Sequence, residues 1–162
     1  MSEAAVCCFK TSEVEGEVLF LQQKEGVLVK SDFQKLPSGK HGYHIHQAGD
    51  LRGDGCKLAC AHWHKGSPTD HGGAPNTRGP RHTGDLGNIE SSKKVYRHFL
   101  KGVHVQELWG RSLIIHEDED DLGKGSHEDS KTTGHSGKRI ACAIIGRVLE
   151  GCQGKTRKTK HK

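Results

Sequence analysis

No stretch of this 162-residue chain is apolar for the roughly 20 residues that a membrane-spanning helix needs. The first ten residues, Met1 to Lys10, also lack a basic segment followed by a long apolar run. The sequence therefore predicts a cytoplasmic protein with no membrane association. Hydrophobic residues are scarce, at 31% against 28% charged, but scarcity of this kind accompanies disorder only when net charge is high as well. It is not high here. The formal charge of +5 resides in Lys155, Arg157, Lys158, Lys160 and Lys162, and the rest of the chain is electrically balanced. Cysteine is also sparse: Cys7, Cys8, Cys56, Cys60, Cys142 and Cys152 are too scattered for a disulfide scaffold and are not spaced as zinc-ribbon pairs. Helical periodicity is missing altogether. Apolar residues nowhere recur at three-and-four spacing for three turns, and 22 glycines interrupt whatever begins.

What remains is strand pattern. Short runs rich in Val, Leu and Phe at 4–9, 14–22 and 26–33 are separated by polar turns. Further runs lie at 41–46, 85–89, 94–100 and 111–116, and 138–149 is an almost continuous apolar run of the kind a buried strand carries. The count is eight, which favours a single all-β domain, a sandwich or barrel.

His44 and His46 are two apart and project from one face of a strand. Such a pair serves equally well as polar residues on a solvated face. The stretch from His62 to Asp85, however, carries His62, His64, His71, His82 and Asp85 among glycines and prolines, with almost no aliphatic residues. A loop of this length needs an anchor other than packing, and neutral imidazoles with a carboxylate suit a borderline divalent metal such as zinc. His116 ends another strand. An imidazole-rich set from strand positions fits copper, so the chain has ligands for two unlike sites.

Several motifs together resemble the eukaryotic-type Cu,Zn superoxide dismutases: Gly42-Tyr-His-Ile-His46, Cys56 six residues before His62, His71-Gly-Gly, Arg81-His-Thr-Gly-Asp-Leu-Gly-Asn88, the run from Leu113 through His116 to Lys124, and Arg139-Ile-Ala-Cys142. They occur in order over roughly residues 3 to 148. The resemblance implies an eight-stranded antiparallel Greek-key β-barrel, an Ig-like sandwich, over residues 1–153. It implies dismutation of superoxide to dioxygen and hydrogen peroxide by a copper that is alternately reduced and reoxidised, beside a structural zinc, one ion of each per subunit. His44, His46, His62 and His116 are the implied copper ligands, and His62, His71, His82 and Asp85 the implied zinc ligands. His62 would bridge the two metals. Asp120 would link a copper-ligand histidine to a zinc-ligand histidine, and Arg139 would attract and orient the substrate. Cys56 and Cys142 would form a disulfide.

The chain departs from the family in places. His62 to His71 spans nine positions and His71 to His82 eleven, longer than usual, and Lys131 is displaced by one position from the usual steering lysine, although Glu128 and Asp129 match acidic positions. Spacing to His71 leaves His64 open as an alternative bridge, whereas the distance from Cys56 and the aromatic Trp63 favour His62. The resemblance further implies a homodimer through the region of Trp109-Gly110 and a copper chaperone as partner. A non-catalytic metal-binding protein, such as a metallochaperone domain, is the rival reading. Residues 154–162 form a basic tail, expected to be disordered, with weak affinity for polyanions.

Overall fold

The computed structural model describes residues 3–149. The expected tail from 154 onward, its boundary at 153 and Cys152 lie outside them. Among the described residues there are nine strands: β1 (Ala4–Lys10), β2 (Glu15–Gln23), β3 (Gly26–Lys35), β4 (Lys40–His46), β5 (Asp85–Glu90), β6 (Val95–Lys101), β7 (Ser112–His116), β8 (Arg139–Ile144) and β9 (Gly146–Arg147). A single short helix, α1 (Ser130–Thr133), and two 3-10 turns complete the described regular structure. No described helix is long and apolar enough to cross a membrane.

All strand pairs are antiparallel, in a five-stranded sheet of order β6-β3-β2-β1-β9 and a four-stranded sheet of order β5-β4-β7-β8. The result is a Greek-key sandwich. In β1 to β3 alternate residues face inward, including Cys7, Phe9, Val18, Phe20, Val29 and Phe33, while their neighbours meet solvent. This alternation is expected when one face packs and the other is wet. The opposing sheet adds Tyr43, Ile45, Leu113 and Ile115, and the buried Tyr43 hydroxyl is satisfied by Ser31 Oγ at 2.8 Å.

Two expectations need correction. The sheets do not close into a barrel, and the run at 138–149 is not one strand. It breaks at the buried Ile145, whose N–H bonds to Arg111 O and whose carbonyl accepts from Gly110 N–H. Beyond the break Gly146 and Arg147 leave β7 and pair with β1. An apolar run reads the same whichever sheet it lies in, so the crossing left no mark on the pattern. The strand count accordingly rises from eight to nine.

Strands β4 and β7 differ from the rest because both faces are buried. Tyr43 and Ile45 point into the core, whereas His44 and His46 point outward, under two long loops at 47–84 and 117–138. The first loop lies close against β4. Trp63 N–H bonds to Ile45 O, and Ile45 N–H to Gly84 O. A Cβ on Gly84 would sit 2.4 Å from Ile45 O, so only glycine permits that approach.

Candidate metal centre

Beneath these loops six imidazoles and two carboxylates converge. His44 and His46 come from β4, His116 from the end of β7, His62 from the segment lying on β4, His71 and His82 from the remainder of that loop, Asp85 from the start of β5 and Asp120 from the second loop. All but His82 are buried. Ligand atoms of His44, His46, His62 and His116 lie within 4.8 Å of one another, as do those of His44, His62, His71 and Asp85.

Hydrogen bonds fix which nitrogen faces inward. His44 Nε2 donates to Asp120 Oδ2 at 2.6 Å, His46 Nδ1 to Cys60 O at 2.8 Å and His116 Nδ1 to Gly137 O at 3.2 Å. His71 Nε2 donates to Asp120 Oδ1 at 2.7 Å and His82 Nε2 to Thr69 O at 3.1 Å. A neutral imidazole has one N–H. Once it is spent on these acceptors, the other nitrogen presents a lone pair to the interior. His46 Nε2 and His116 Nε2 then face each other at 3.3 Å, and His71 Nδ1 faces Asp85 Oδ1 at 3.0 Å. His44 Nδ1 and His62 Nε2 are buried with no partner. Lone pairs aimed at one another in a dry interior repel unless a cation lies between them, and imidazole nitrogens with one carboxylate are donors that copper and zinc accept. The residues fit both ions.

His62 differs from the other imidazoles. Its Nδ1 lies 2.9 Å from Asp85 Oδ1 and its Nε2 points to the opposite side, with its ring stacked at 4.0 Å on that of His44. His64 is turned elsewhere, its Nδ1 accepting the Thr83 N–H at 3.1 Å. The longer spacings from His62 to His71 and His82 therefore leave the ligand atoms together. His82 stands at the rim, with Nδ1 3.3 Å from Asp85 Oδ2, and does not join the tight groups.

Electrostatics follow from burial. Dehydration pushes the pKa of His44 and His46 well below the usual histidine range, aided by the neighbouring imidazoles, and that of His116 to about 3. Burial raises the Asp85 carboxyl, but the imidazoles of His62, His71 and His82 around it outweigh that and hold the group far below the carboxylate range. Its second oxygen accepts from Gly72 N–H at 3.1 Å and His82 N–H at 2.7 Å.

Arg139 stands opposite His116 in the β7–β8 register. Its guanidinium donates to Cys56 O at 2.7 Å and Cys60 O at 2.6 Å, and Cys56 is joined to Cys142 of β8 by the expected disulfide. Cys60 O thus receives both Arg139 and His46. Lys131 Nζ stands 3.9 Å from Asp70 Oδ2, Asp129 binds His135, and Trp109 packs against the core with Arg147 over its ring.

Three supporting residues carried no assigned role in the sequence. Asn88 exchanges hydrogen bonds with the Asp120 backbone, at 2.9 and 2.7 Å, which pins that carboxylate in place. His41 is buried, with Nδ1 donating to His116 O at 2.9 Å. Gly134, at φ 71°, leaves room for Asp120 and His71, which a Cβ would strike. Asn88 stands inside the Arg81–Asn88 motif, and that was its only signal.

The model of the copper/zinc superoxide dismutases matches residues 14–145. The chain is 42% identical over 144 residues to a Cu-Zn superoxide dismutase of Paramecium bursaria Chlorella virus 1, covering 85% of this chain and 75% of that protein. It is 39% identical over 150 residues to Cu-Zn superoxide dismutase 5 of Dictyostelium discoideum, covering 88% and 96%. It is also 44% identical over 149 residues to the copper chaperone for superoxide dismutase of Rattus norvegicus, covering 89% of this chain but 53% of that one. Among solved structures, the clock protein EA4 superposes with a TM-score of 0.76 at 36% identity, covering 90% and 94% of the two chains. With its sandwich, its converging histidines and these similarities, the chain belongs to the copper/zinc superoxide dismutase family.

Proposed function

We infer that this chain is an active superoxide dismutase, converting superoxide to dioxygen and hydrogen peroxide. The observation that carries this reading is the set of inward lone pairs on His44, His46, His62 and His116, with Arg139 beside them. His44, His46, His62 and His116 would hold copper, and His62, His71, His82 and Asp85 zinc, one of each per chain. Copper supplies one-electron redox chemistry between its two oxidation states, and zinc supplies fixed charge and an anchor for the loop.

The protein's own groups do the rest. His62 would offer Nε2 to the copper set and Nδ1 to the zinc set, and the same Nε2 would be the base that holds and gives up a proton beside the substrate. Asp120 keeps His44 and His71 in the tautomers that leave their Nδ1 atoms free. Arg139, fixed by two carbonyls, draws the small anion in and orients it. The chain forms a homodimer through the face bearing Trp109 and Gly110, and sedimentation measures that state directly.

The rat chaperone relative gives substance to a second reading, a metallochaperone domain that binds metal without turnover. Metal analysis paired with a superoxide-consumption assay separates the two. The enzyme reading expects one copper and one zinc per chain with rapid turnover. Protein loaded with both metals but inert would favour the chaperone reading.

A further inference from the structure

Another group of metal-ligating side chains lies on the surface of the loop joining β7 to β8, apart from the buried centre. His127 and His135 stack with ring centroids 3.6 Å apart and planes within 7°. His135 Nδ1 donates to Asp129 Oδ1 at 2.6 Å. With Glu128 and Thr132 these residues line a shallow depression that contains no lysine or arginine. Local backbone brings them together: α1 is a single turn ended by Gly134, and His135 follows in the left-handed region at φ 53°.

Face-to-face stacking is the less favoured geometry for aromatic rings. Among the described residues neither ring nitrogen of His127, nor Nε2 of His135, makes a hydrogen bond, while two carboxylates stand alongside. We propose that His127, His135 and Asp129 form a surface site for one borderline divalent cation, zinc or copper(II), with water completing its coordination. Two imidazoles and a carboxylate are a donor set that such ions accept. The rings meet face to face, so binding requires the exposed His127 ring to turn edge-on. No hydrogen bond of that ring within the described residues is lost in doing so.

Calorimetric titration of zinc into protein whose buried centre is already filled, as established by metal analysis, should reveal one further equivalent. His127→Ala and His135→Asn should each abolish it while retaining the buried ions; asparagine is chosen because it tolerates left-handed backbone. Retention of the buried ions reports an intact fold. Asp129→Asn, which keeps the side chain's shape, should weaken the same equivalent. The site is independent of the catalytic reading, since protein holding only zinc at its buried centre is titrated in the same way. Absence of further binding in the unmutated protein, or its persistence in either histidine variant, overturns the proposal.

Discussion

Asp120 Oδ2 lies 2.6 Å from His44 Nε2, and the other oxygen of the same carboxylate lies 2.7 Å from His71 Nε2. One side chain thereby sets the tautomers of an imidazole on each side of His62. An amide in its place keeps one acceptor and turns an N–H toward the other imidazole. Asp120→Asn should therefore weaken both metals together, by about 10- to 100-fold. Competition with chelators measures this, and loss of one metal alone would show that the link does not couple the two sites.

Arg139→Ala should lower kcat/KM by about tenfold, within the range electrostatic steering supplies, and should weaken inhibition by small anions. The guanidinium binds Cys56 O and Cys60 O and no imidazole nitrogen, so metal content should change little. Equal anion sensitivity in both proteins would count against the assignment.

Cys56→Ser opens a loop of 86 residues and should cost about 2 to 5 kcal/mol of stability. The Cys56 and Cys60 carbonyls then hold Arg139 less firmly, so activity should fall further than metal content does. Denaturant unfolding alongside turnover tests both parts; unchanged stability would mean that the covalent link adds nothing.

Metal-free protein should lose stability in acid. In an unfolded chain histidine titrates near about 6.5, whereas burial holds His44 and His46 well below that value and His116 at about 3. The unfolded state then binds more protons as pH falls, so stability is lost from about pH 6.5 downward. His71 works in the opposite sense. Burial lowers it, but hydrogen bonds from the protonated ring to Asp120 and Asp85 prevail and raise it to about 9, so its contribution is full below about pH 6.5 and is lost as pH climbs through 9. Burial also lowers His62, and lowers His98 to about 4, so five depressed imidazoles outnumber one raised, and urea midpoints should fall between pH 6.5 and 4. A flat profile would contradict the burial of neutral rings.

The sequence made most of the strands legible because β1 to β3 alternate cleanly between a packed and a wet face. The convergence of His44, His46 and His116 was equally readable, since they stand at strand positions of fixed direction. Residues whose character depends on the fold were harder to read. Asp120 sits in an acidic run, Glu117 to Asp121, where most neighbours face solvent; it is buried because Asn88 captures its backbone. His41 resembled any surface histidine until the loops closed over β4. The break at Ile145 is set by pairing with Arg111 and Gly110, which no local pattern encodes. The Cys56–Cys142 pairing came only from family resemblance.

His62, and not His64, is positioned to join two metals. Its ring lies between the two donor sets, whereas the His64 ring is engaged by Thr83. The copper EPR spectrum of His62→Ala, recorded with its zinc affinity, tests this most directly. An altered spectrum and weakened zinc are expected in that variant, with neither change in His64→Ala; the reverse pattern would place the bridge at His64 and contradict the assignment of His62.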